Sequence, residues 1–323
     1  MNSIKKIVAS LMVGSVVAGG AFSAQAAEIL RFSHIAARDN TWHLAAEEFG
    51  RQVEKMTNGE VKVEVFPNSE LGSERETLEG IPLGMADITL SGDSMAQWAP
   101  EINITSQLFL FRDDAHVEKF MQSDIEKRIE EQLVEKAGLR TLTYFVRGPR
   151  YLTSNKPIKS IDDAKGLKIR IPTVPVYVKS WEAIGAKPVT MAFAEVFGGL
   201  QQGAVDAQEN PLALIESAKL YEVQKYLNRT AHVRQAILMV IGEERFKSLK
   251  PEHQEAIKKA ARIAHDYEHE LFLKEETAIA ERLKAKGVEF VDTDISGFKD
   301  AVKDVLRKDF QYLVKDQEEI EKM

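Results

Sequence analysis

Cysteine is absent from the 323-residue chain. Its absence excludes disulfides, thiolate metal sites and thiol nucleophiles, and at this length a hydrophobic core suffices without covalent staples. Positive charge is also scarce: 43 lysines and arginines stand against 50 aspartates and glutamates. An excess of acid argues against nucleic acid and against an anionic membrane surface as partner. A site for an anion must then be a local concentration of arginine. Beyond the N-terminal segment no stretch is apolar for long enough to span a bilayer. No low-complexity linker divides the chain, which predicts domains joined by several crossing segments. Phosphate loops, nucleophile elbows and paired catalytic carboxylates are all missing, so neither a cofactor nor enzymatic chemistry is expected.

What is present begins with an export signal. Lys5 and Lys6 precede an apolar, small-residue run from Ile7 to Phe22, and Ala24-Gln25-Ala26 fits the small-x-small cleavage pattern. The competing reading, a membrane anchor, is disfavoured because the run is short and glycine-rich and is followed at once by a polar strand. Cleavage after Ala26 into the periplasm would leave 41 basic against 50 acidic residues, a net charge of −9.

The remainder alternates strands and helices. Strands are predicted at Glu28–Ile35, around Val61–Val65, at Met85–Ser91 and at Leu139–Val146, and again at 150–154, 167–171, 187–190 and 204–208. Between them lie helices at Asn40–Met56, 114–122, 124–137, 173–184, 193–202 and 211–220, and a short one opened by the capping box Ser73-Glu-Arg-Glu76. Such alternation predicts parallel sheets covered by helices. Pro251–Lys286 is one unbroken helical pattern, roughly 50 Å long at 1.5 Å per residue. A helix of that length exceeds one domain and should cross two. A strand at Val288–Val291 and an amphipathic helix over 295–314 complete the chain.

The stretch Gly166–Pro211 carries the candidate site. Leu167, Ile169 and Ile171 alternate with Lys168 and Arg170, and Pro172 ends that strand with Arg170 near its tip. Asn210 stands where a helix N-cap belongs and Pro211 where the first helical residue belongs. A guanidinium at a strand tip and an amide at a helix start both suit a carboxylate. Arg150 follows the chain break at Gly148-Pro149, whereas Arg147 has less to recommend it. Phe193, at a strand-to-helix turn, is a possible pocket wall, although a core phenylalanine is the commoner case. One internal echo points to two related halves. Glu76, Gly80, Ile81, Gly84 and Asp87 match Glu195, Gly199, Leu200, Gly203 and Asp206 at a constant offset of 119. If the echo is structural, Ser91-Gly92-Asp93 should face Asn210 across a cleft. A rival of another class is a zinc hydrolase built on His265-Asp-Tyr-Glu-His269, which matches H-x-x-E-H; no third ligand can be singled out for it.

These residues resemble those of the periplasmic solute-binding proteins of TRAP (tripartite, ATP-independent) transporters, the DctP family. The likeness is densest in Arg150-Tyr-Leu-Thr-Ser-Asn155, Gly166-Leu-Lys-Ile-Arg-Ile-Pro172, Met191-Ala-Phe-Ala-Glu-Val-Phe197 and Val205-Asp-Ala-Gln-Glu-Asn-Pro211. It implies two α/β domains, each a sheet flanked by helices, with a long helix spanning both and a ligand cleft between them. The expected division is 27–147 with 236–275, and 148–235 with 276–323. It further implies that Arg170 forms the salt bridge to a ligand carboxylate, that Arg150 and Asn210 assist, and that Phe193, Thr173, Glu74 and Ser91, Gly92 and Asp93 line the pocket. The implied partners are an organic acid and the small and large permease subunits, with the binding protein a monomer. Sialic-acid-binding relatives carry an acidic residue where this chain has Gly92, which favours a smaller sugar acid; sialic acid and C4-dicarboxylates are the alternatives.

Overall fold

The computed structural model describes residues 26–323; the segment 1–25, and with it the body of the export signal, lies outside them. Eleven strands form two sheets among the described residues. The first contains β1 (Glu28–Ser33), β2 (Val61–Phe66), β3 (Ile88–Ser91), β4 (Leu139–Val146) and β10 (Ala236–Gly242), in the order β2-β1-β3-β10-β4. The second contains β5 (Arg150–Ser154), β6 (Lys168–Ile171), β7 (Lys187–Thr190), β8 (Ala207–Pro211), β9 (Tyr226–Val233) and β11 (Glu289–Val291), in the order β11-β9-β5-β8-β6-β7.

The expectation of parallel sheets needs correction in part. β1 runs parallel to β2 and β3, and β6 parallel to β7 and β8, as strand–helix–strand units require. But β10 is antiparallel to β3 and β4, and β5 is antiparallel to β8 and β9. The cause is the route of the chain. It leaves the first sheet through Arg147–Pro149 and returns through Arg234-Gln235, and each passage inserts an antiparallel strand. The two passages touch, Arg147 N–H donating to the Gln235 carbonyl at 3.3 Å.

The third passage is the long helix Pro251–Ala285, 35 residues with no glycine or internal proline. Its first half buries Ile257, Ala260, Ala261 and Ala264 against the core of the first sheet, with Phe49 and Phe145. Its second half buries Ile279 and Leu283 in a separate cluster with Leu227 of β9. Gly148, in the first passage, lies against the middle of this helix at φ 69°; a Cβ there would stand 2.9 Å from the Phe272 ring.

The internal echo is visible in hydrogen bonds. Gly84 and Gly203 both turn at φ 71°, a left-handed conformation that glycine adopts without strain. Gly84 N–H reaches the Ile81 carbonyl at 3.0 Å, and Gly203 N–H the Leu200 carbonyl at 3.2 Å. Asp87 N–H then donates to Arg31 O while its carboxylate accepts from Arg31 N–H; Asp206 does the same with Lys168. Each aspartate thus pins a third strand beside the first of its unit.

The expected C-terminal helix over 295–314 is broken. Helices Ser296–Val302 and Val305–Asp309, a 3-10 turn at Gln311–Leu313 and helix Val314–Ile320 replace it. The breaks let Phe298, Val302, Leu306, Leu313 and Ile320 all reach one core that holds Trp181 and Phe120, which a straight rod could not do. Among the described residues no helix is long and apolar enough to cross a membrane.

Candidate functional site

A cavity of about 460 Å³ opens between the two sheets, within the range for small-molecule sites. Its walls come from the segments just beyond the C-terminal ends of parallel strands. Ile35 follows β1, Ser69 follows β2 and Asp93 follows β3; Thr173 follows β6 and Phe193 follows β7. Open α/β sheets bind ligands at such ends because the loops there are free to carry side chains without disturbing the ladder. Glu74, Arg150, Arg170 and Asn210 also line it.

Arg170 lies in β6, between Ala207-Gln208 of β8 and Val189 of β7. The side chain is 3% exposed. Its Nε and Nη2 both donate to the Met191 carbonyl, at 2.9 and 2.6 Å. It enters no ion pair among the described residues. Among the described residues Nη1 has no hydrogen-bond partner, and the residue lines the cavity. Burial lowers its pKa, against the pull of Glu209, from 12.5 to about 10, so the group stays charged at neutral pH while lacking a counterion.

Arg150 is different. Its Nε and Nη2 grip the carboxylate of Glu209 side-on, and Nη2 also donates to the Glu209 carbonyl at 2.8 Å. Burial opposes the charge of Arg150, yet Glu209 raises its pKa above the ordinary value. For Glu209 burial likewise works upward, but Arg150 and His232 prevail and bring it down to about 2. His232 Nε2 lies 3.1 Å from the Glu209 carboxylate and Nδ1 2.7 Å from Thr230 Oγ1. Since an ionised carboxylate only accepts, Nε2 carries the proton and Nδ1 accepts from the threonine. Only Nη1 of Arg150 remains for a ligand.

Asn210 lines the cavity but is not a helix cap. It is the fourth residue of β8, paired with Tyr151, and Pro211 occupies the N-cap of helix Leu212–Ser217. The residue before a proline is driven to extended backbone, which keeps Asn210 in the strand. Its Nδ2 donates to Gln208 Oε1 at 2.7 Å.

Of the turn expected to oppose Asn210, only Asp93 reaches the cavity wall. Ser91 is fully buried, and its hydroxyl donates to Glu74 Oε1 at 2.6 Å. Gly92 faces a much smaller second cavity. Arg147, passed over in the sequence, lines the main cavity. Its only signal was closeness to Arg150, and nothing local distinguished it from a surface charge. Glu209 was missed because an acid inside an anion site reads as a contradiction until its partner Arg150 is seen. His265 and His269 stack with ring planes 11° apart, and His265 Nδ1 lies 2.6 Å from the Tyr144 carbonyl. Neither lines the main cavity. Among the described residues no group of three potential metal ligands comes together.

A model of the DctP family, bacterial extracellular solute-binding protein family 7, matches residues 32–312. A solute-binding protein of Roseobacter denitrificans is 40% identical over 305 residues, covering 94% of this chain and 93% of the relative. The 2,3-diketo-L-gulonate-binding periplasmic protein of Escherichia coli is 36% identical over 291 residues, covering 89% and 88%. The crystal structure of a TRAP periplasmic solute-binding protein from R. denitrificans with bound L-galactonate superposes with a TM-score of 0.88 at 40% identity, covering 91% of this chain and 98% of that one.

Proposed function

This chain belongs to bacterial extracellular solute-binding protein family 7, a family of periplasmic TRAP solute binders and not of enzymes, and from that premise we propose that it captures a sugar acid by its carboxylate and delivers it to a membrane permease. Arg170 carries the proposal. A buried guanidinium without a counterion, bordering a cavity between two sheets, is complementary to a bound carboxylate, which would meet it two-pronged. Arg150, already balanced by Glu209, would add a single donor, and Asn210, Thr173 and Phe193 would shape the same wall.

The two sheets support a division into 27–147 with 236–275 and 148–235 with 276–323, since every strand of each sheet falls in one part. Export with cleavage after Ala26 completes the picture, and the intact mass of the periplasmic protein would test it. The bound acids of the relatives, L-galactonate among them, favour an aldonate, uronate or keto-sugar acid over a C4-dicarboxylate or sialic acid. Calorimetric titration of purified protein with L-galactonate, D-glucuronate, succinate and sialic acid decides between them. Tightest binding should be to one of the first two; tightest binding to succinate or sialic acid, or none at all, overturns the sugar-acid assignment.

A further inference from the structure

Arg147 is the second guanidinium in the cavity without a carboxylate partner. It belongs to neither sheet but to the first passage between them. Its guanidinium lies 5.3 Å from the Trp42 ring centroid, a cation–π contact that fixes its plane. The Gln235 amide, turned so that all its neighbours are satisfied, places its oxygen 2.7 Å from Arg147 Nη1 and its nitrogen near Tyr177 and Thr105. Nε is buried with no partner, and among the described residues Nη2 has none either. The neighbours of opposite charge in the same wall are Glu74 and Asp93, neither in an ion pair with Arg147. Glu74 Oε1 is taken by Ser91 and Gly92, and Asp93 Oδ2 by Ser106. Glu74 Oε2 and Asp93 Oδ1 accept nothing from the described residues.

Donors from a cation and free oxygens from two carboxylates thus share one wall. A ligand carboxylate there would suit Arg147 but meet two like charges; an ammonium would suit the acids but meet Arg147. A hydroxyl accepts from the guanidinium and donates to a carboxylate at once. We propose that Arg147, with Glu74 and Asp93 beside it, reads the hydroxyl end of the ligand, and so selects a polyhydroxy monoacid over the diacid of equal length. This inference rests on the sugar-acid function proposed above. Gly92 is part of the arrangement: a Cβ at that position would stand 3.9 Å from Arg147 Nη1. An acidic side chain there would pair with Arg147 and remove it from the ligand.

The test titrates wild type and Arg147→Met with L-galactonate, its 6-deoxy analogue and the corresponding hexarate. Wild type should bind L-galactonate at least about tenfold tighter than either other acid, the loss of one charge-assisted hydrogen bond. Arg147→Met should lose about tenfold or more for L-galactonate and bind it and the 6-deoxy acid within about twofold of each other. Should the methionine variant misfold, Arg147→Leu, which also removes every donor, replaces it with the same expectation. Equal losses for both acids would make Arg147 a structural residue, and hexarate bound as tightly as L-galactonate would make it a second carboxylate anchor; either result overturns the proposal. Failure of wild type to bind any of the three instead removes the sugar-acid function itself.

Discussion

Glu209 decides which arginine is available to a ligand. By neutralising Arg150 inside the protein it leaves Arg170 and Arg147 as the cavity guanidiniums without a carboxylate partner, and of the two Arg170 is the more deeply buried. Replacing one member of a buried pair strands the other, typically at about 3–5 kcal/mol. Glu209→Gln should therefore lower the melting temperature markedly at pH 7. The sign of the pH effect follows from the depressed pKa. Glu209 falls from an ordinary 4.5 to about 2 in the folded protein. The unfolded chain then binds the proton more readily, and the stability contributed by the carboxylate is complete above pH 4.5 and lost as the pH falls towards 2. Calorimetric melts at pH 7 and pH 3 should show the deficit of the glutamine variant shrinking at the lower pH. A deficit equal at both values would mean that the charge of Glu209 contributes nothing. At this scale the position of Arg170 was legible from strand alternation and the proline that ends its strand, and that of Arg150 from the chain break at Gly148-Pro149 before it. Arg147 was not, because its environment is made by Trp42 and Gln235, residues far from it in sequence.

Elements were legible where their signals are local. The capping box of Ser73 and Glu76 is present with both its bonds, and the long helix runs within one residue of its expected end. Errors arose where tertiary packing overrides local pattern. The amphipathic stretch 295–314 has a helical period, but its apolar residues serve a curved core and the rod breaks. Strand direction was misjudged because alternation reports the local crossover and not the passage of the chain between sheets. The passages themselves depend on Gly148, with its left-handed backbone and its close approach to Phe272. Gly148→Ala combines a strained φ with a steric overlap and should cost about 1–3 kcal/mol. Denaturant melts would show it as a lower midpoint; a midpoint unchanged from wild type would mean that the passage yields freely around the helix.

The whole molecule brings two strand–helix–strand units together with the C-terminal ends of their strands towards one cavity. Three segments of chain join them, so the walls can be held in register while the space between them stays open to a small acid. The anchor proposed for that space is Arg170. Calorimetric titration of Arg170→Ala and Arg170→Lys with the acid that wild type binds tests this most directly. Removing one partner of a buried charge pair costs about 2–5 kcal/mol, so Arg170→Ala should lose roughly thirty- to several-thousand-fold in affinity with its melting temperature little changed. Arg170→Lys should also bind poorly, since lysine keeps the charge but not the planar fork. Affinity of Arg170→Ala within about threefold of wild type would contradict the assignment and move the carboxylate anchor to Arg150 or Arg147.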